Sequence, residues 1–89
     1  MARMEMTGSE IGAIAGVGMS GESYYELGLM CAAGASVPVD RVAAHKWFNI
    51  AVAQGYRPAA AIRAELAQEM TADEIAAAQR EARLFLTRH

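Results

Sequence analysis

Eighty-nine residues are enough for one small domain, which buries only about 60–65% of the surface its unfolded chain exposes. The chain is 54% apolar and 20% charged, with signs mixed and a formal net charge of -2, so it lacks the basic stripe that nucleic acid or anionic lipid calls for. The single cysteine, Cys31, has no partner for an internal disulfide and implies no oxidising compartment.

Residues 1–21 differ from the rest, with five of the eight glycines and four of the six methionines. Thr7 and Glu10 have capping-box spacing ahead of Ile11, Ile14 and Val17, but Gly12, Gly16 and Gly18 weaken any helix there. The segment reads either as a flexible arm or as an apolar segment that orders only against a partner. Its apolar stretch, Ile11 to Met19, is too short to span a bilayer, and Glu5 and Glu10 ahead of it make a poor signal peptide. A soluble cytoplasmic protein is expected, or a periplasmic one if a leader has been removed.

Four helical patterns follow in residues 22–88. The first, Glu22 to Ala33, aligns Tyr24, Leu27 and Cys31, with Tyr25 and Leu29 on a neighbouring stripe. Gly34 supplies its stop, and Asp40 stands where it can cap the next helix. That second helix, to about Gln54, carries Ala43, Trp47, Ile50 and Ala51 on one side and Ala44, Phe48 and Val52 on another. Two apolar sides predict a helix sandwiched between neighbours, ended by Gly55.

The third pattern starts at Pro58 and spaces Ile62, Leu66 and Met70 by four. The fourth opens with a capping box, Thr71 to Glu74, and aligns Ile75, Ala78, Ala82, Phe85 and Leu86. Its other side is polar, as befits the end of an array. Short connections between the helices predict antiparallel hairpins laid side by side. Ser23 and Ala59 begin corresponding helices 36 residues apart, a period typical of helical repeats.

The stretch from Ser23 to Gly55 resembles the Sel-one-like repeat, a relative of the tetratricopeptide repeat. Leu27-Gly28, Met30, Gly34, Val37, Asp40, Ala44, Trp47, Phe48, Ala51, Ala53 and Gly55 stand in the places of its pattern. Residues 56–88 look like a degenerate second repeat and a closing helix. Cys31 departs from a usual tyrosine and Ser36 from a usual glycine, and the third helix lacks the Leu-Gly pair. The resemblance implies an all-α fold, a short right-handed superhelix of about four main helices. In that setting Gly28 lets the ring of Trp47, or a neighbouring helix, approach the backbone, while Trp47 anchors the core.

The resemblance also implies protein–protein interaction, on the face lined by the first and third helices. Candidate contacts there are Tyr24, Glu26, Met30 and Arg63, joined by Ile11, Ile14 and Val17 of the arm. Tyr24 is either an aromatic contact residue or a ring buried against the arm. A second reading is a small accessory subunit of a larger complex, possibly membrane-associated, with residues 11–19 as its anchor.

The residues offer little chemistry. His45, beside Lys46 and one turn from Asn49, is expected to be a partly exposed surface histidine. Cys31 is expected to act as a small buried hydrophobe. Met1, Met4 and Met6 could supply thioethers to copper(I), but their spacing is loose. No phosphate loop, paired metal-ligand spacing or nucleophile motif is present. No catalytic, cofactor, metal or small-molecule role is expected. The partner is expected to be a protein, without nucleic acid or membrane insertion.

Overall fold

The computed structural model describes residues 20–88. Ile11, Ile14 and Val17, with the rest of residues 1–19 of the proposed arm, lie outside the described residues. The described chain is all-α: α1 (Gly21–Ala33), α2 (Arg41–Ala53), α3 (Pro58–Ala67) and α4 (Ala72–Arg88). The helix α2 is the hub, with α1, α3 and α4 each packed against it.

Local chemistry accounts for most boundaries. The Ser20 hydroxyl accepts from the Ser23 N–H at 3.2 Å, so α1 begins at Gly21, one residue earlier than expected. Gly21 belongs to the helix and not to the arm. Asp40 caps α2 by accepting from the Ala43 N–H at 3.0 Å, and its own N–H donates to the Cys31 carbonyl at 2.9 Å. Before α4 the capping box is complete: Thr71 N–H donates to Glu74 at 2.8 Å, and Glu74 N–H to the Thr71 hydroxyl at 3.1 Å.

Glycine closes α1 and α2. Gly34 has φ 73° and donates to the Met30 carbonyl at 2.9 Å. Gly55 has φ 93°, and the Gly55 and Tyr56 N–H groups return to Val52 and Ala51. That pair of bonds is the Schellman arrangement, and its left-handed residue favours glycine. The helix α3 ends at Ala67, short of Met70. Gln68, Glu69 and Met70 each bond three residues back, winding the chain tightly into the Thr71 cap.

Trp47, Phe48, Ile50, Ala44 and Ala51 of α2 are all fully buried. Two aromatic clusters grip this helix from different sides. Tyr24 stacks on Trp47 at 5.9 Å with 8° between the planes, and Phe85 meets the Trp47 ring edge-on at 5.5 Å. The first cluster therefore locks α1 and α4 to α2. In the second, Tyr25 packs on Phe48 at 5.8 Å and on Tyr56 at 5.1 Å, joining α1 to the turn after α2. Burying aromatics of this size contributes about 3–5 kcal/mol each by truncation.

The role expected for Trp47 beside Gly28 belongs to Phe48. A Cβ added at Gly28 would lie 2.6 Å from Phe48 Cδ1, whereas Trp47 turns toward Tyr24 and Phe85. Neighbouring residues on a helix point about 100° apart, so Trp47 and Phe48 serve different sides.

Candidate functional site

A groove of about 210 Å³ opens between α1 and α3, with α2 beneath it. Leu29 and Ala32 of α1, Phe48 of α2, and Ile62 and Leu66 of α3 form its apolar lining. Arg41, Glu65 and Glu69 form its rim. Arg41 and Glu69 pair at 3.5 Å, both well exposed, so the bridge adds little stability and chiefly ties the start of α2 to the turn after α3. Glu65 is exposed and has no ion pair among the described residues.

The acidic character continues along α1, which carries Glu22 and Glu26 and no basic residue. Both are exposed. The Tyr56 phenol, beside them, is pushed up by desolvation and further by the charges of Glu22 and Glu26.

The structure sorts the expected contact residues. Tyr24 is 5% exposed and stacked on Trp47, so it is a core residue and not a contact on the open face. Its ring has too much apolar surface to leave outside when Trp47 and Phe85 offer two flat partners. Glu26 is exposed, and Met30 is half-buried with its carbonyl engaged by Gly34 and Ala35. Arg63 is half-buried and donates to Asn49 Oδ1 at 2.8 Å, which ties it into the seam between α2 and α3.

That seam also corrects His45, which is 3% exposed and not a surface residue. With α2 covered on three sides, the side carrying His45 is covered by α3. Asn49 Nδ2 donates to His45 Nδ1 at 2.9 Å while its oxygen accepts from Arg63. The accepting nitrogen must be unprotonated, so the ring proton sits on Nε2. Burial, and then the charge of Arg63, holds the His45 imidazole below its ordinary pKa of 6.5. In these hydrogen bonds His45 is joined to Asn49 and, through it, to Arg63, bridging α2 to α3.

Cys31 is 1% exposed, and its thiol is pushed up by burial and by Asp40 against a smaller opposing effect of Lys46. The protonated thiol is a weak nucleophile. Among the described residues no cluster of three or more His, Cys, Asp or Glu side chains could hold a metal. No helix among them is long and apolar enough to cross a membrane.

The groove residues were only partly visible beforehand. Ile62 and Leu66 stood out by their spacing, and Leu29 by its stripe. Arg41, Glu65 and Glu69 carried no signal, since their proximity depends on how α3 settles on α2. Comparison with protein-family models, with curated proteins and with solved structures found no match to this chain.

Proposed function

We propose that this chain is a Sel-one-like repeat module acting as a non-catalytic adaptor or scaffold that holds a protein partner in the groove between α1 and α3. The observation that carries this reading is the groove itself, where Leu29, Ile62 and Leu66 surround the buried Phe48 beside Glu65, a rim charge without an ion pair among the described residues. A helix or extended segment gains affinity from such a lining and orientation from the charges around it. At about 210 Å³ the space is smaller than the roughly 300–1,000 Å³ usual for small-molecule sites. The residues in the places of the repeat pattern, from Leu27-Gly28 through Trp47 to Gly55, support the same reading. Residues 1–19, with Ile11, Ile14 and Val17, are proposed to add to the contact.

Affinity capture from the native cell with the wild-type chain and with Glu65→Arg tests the proposal. A protein retained by the wild type and lost with Glu65→Arg supports it. Equal recovery by both chains would mean that the groove is not the contact surface. Deleting residues 2–19 asks the same of the arm, with helicity measured alongside recovery.

A further inference from the structure

The helix α3 is the least firmly held of the four. It is the shortest, at 10 residues, and Arg57 before it makes no side-chain cap. Ala59 alone is buried, while Ile62, Arg63 and Leu66 are half-buried. The turn that ends α2 and the capping box that starts α4 both close on their own residues, so neither needs α3 in place. A segment with so few buried apolar contacts is where a protein opens locally.

The polar tie across the seam between α2 and α3 runs from Arg63 through Asn49 to His45. Arginine has no acceptor, so Asn49 must turn its carbonyl to Arg63 and its N–H to His45 Nδ1. That arrangement works only for a neutral ring. A charged imidazole carries a proton on both nitrogens, so two donors then face each other between Asn49 and His45. Turning the amide over moves the conflict to Arg63. His45 is 3% exposed, so water cannot replace the lost bond. Arg63 repels the charged ring, and no carboxylate offsets it: neither Glu22 and Glu26 of α1, Glu65 of α3, nor Asp73, Glu74 and Glu81 of α4 acts on His45.

We infer that His45, Asn49 and Arg63 form an acid-released latch: protonation of His45 lets α3 open from α2 while α1 and α4 stay packed. Opening gives the charged ring the water that the closed seam denies it. It also splits the groove, since Ile62 and Leu66 leave with α3 while Phe48 stays on α2. In the closed seam, burial and then Arg63 hold the imidazole below its ordinary pKa of 6.5, so the open form takes the proton first. The latch is therefore complete above 6.5, and opening is favoured as pH falls from there toward the lower closed value. The inference goes beyond the adaptor reading, because it concerns a wall of the groove and not its occupant.

Hydrogen exchange of the full 89-residue chain, read amide by amide and corrected for intrinsic rates, provides the test. Between about pH 7.5 and about pH 5.5, protection of the α3 amides should fall at least about fivefold. Dilute urea should barely affect these amides, because opening one helix exposes little surface. Amides in the middle of α2 need complete unfolding to exchange and should respond to urea at both pH values. His45→Gln keeps an acceptor for Asn49 and cannot charge, so its α3 protection should be the same at both. Arg63→Met frees Asn49 to turn its carbonyl toward a charged ring, so the fall should shrink at least about twofold. Circular dichroism verifies that the variants stay folded.

Equal α3 protection at both pH values in the wild type overturns the proposal, as does a fall that persists in His45→Gln. Urea-sensitive exchange of α3 in step with α2 also overturns it, because His45 is then reached only by complete unfolding. If His45→Gln does not fold, Arg63→Met decides, and an undiminished fall there sinks the latch. Capture with Glu65→Arg tests the adaptor reading separately, so either can fail without the other.

Discussion

Phe48 fills the space that a side chain on Gly28 would need: its Cδ1 lies 2.6 Å from the point where a Cβ would be built. Phe48 is fully buried between α1 and α2, so the ring cannot withdraw without opening that contact. Gly28→Ala gains up to about 1 kcal/mol of helix propensity but should still destabilise the protein by about 1–3 kcal/mol net. Gly28→Leu should be worse. Chemical denaturation of the two variants measures this, and a more stable Gly28→Ala protein would mean that α1 can slide off Phe48 cheaply.

Trp47 should be the most costly residue to truncate, because its ring carries the joint between α1, α2 and α4. Removing it leaves Tyr24 and Phe85 facing a cavity. Trp47→Ala should lose about 3–5 kcal/mol, most of the stability available to a domain of this size. Loss of the cooperative thermal transition is the expected readout. The same residue, the single tryptophan of the chain, should emit at short wavelength when folded and shift to the red on unfolding.

Ser36 has φ 69°, in the left-handed region that a side chain rarely adopts. It is exposed, so the conformation is set by the turn between α1 and α2 and not by packing. Ser36→Gly should relieve about 1–2 kcal/mol of strain while adding some freedom to the unfolded chain. A net gain of about 0.5–1 kcal/mol is expected in denaturant titrations. A loss of stability would show that the Ser36 hydroxyl contributes more than its backbone costs.

His45 makes stability depend on pH. Its pKa is lowered in the folded state by burial and by Arg63, so the unfolded chain takes up the proton first. The contribution of neutral His45 is therefore complete above its ordinary pKa of 6.5 and declines as pH falls through that value toward the lower folded one. Protonation also removes the acceptor that Asn49 uses. Unfolding free energy should fall between pH 7.5 and pH about 5.5, before most carboxylates titrate. In His45→Gln the slope over that window should flatten, and an unchanged slope would assign it to other groups.

Much of this architecture was legible in the sequence because its causes are local. Asp40, Thr71 with Glu74, Gly34 and Gly55 act on backbone groups within a few residues, so spacing alone marks the helix ends. The two apolar sides of α2 were legible too, because a helix of known pitch converts sequence position into direction. What the pitch leaves open is which neighbour each side meets. Trp47 and Phe48 are adjacent in sequence, and only the packed helices decided that Phe48 meets Gly28 while Trp47 stacks on Tyr24. The same holds for Tyr24, drawn into the core, and for His45, covered by α3 and bridged to Arg63 through Asn49. The groove is the clearest case. Leu29, Phe48 and Leu66 come from three helices, and their meeting depends on interhelical distances that no local periodicity encodes.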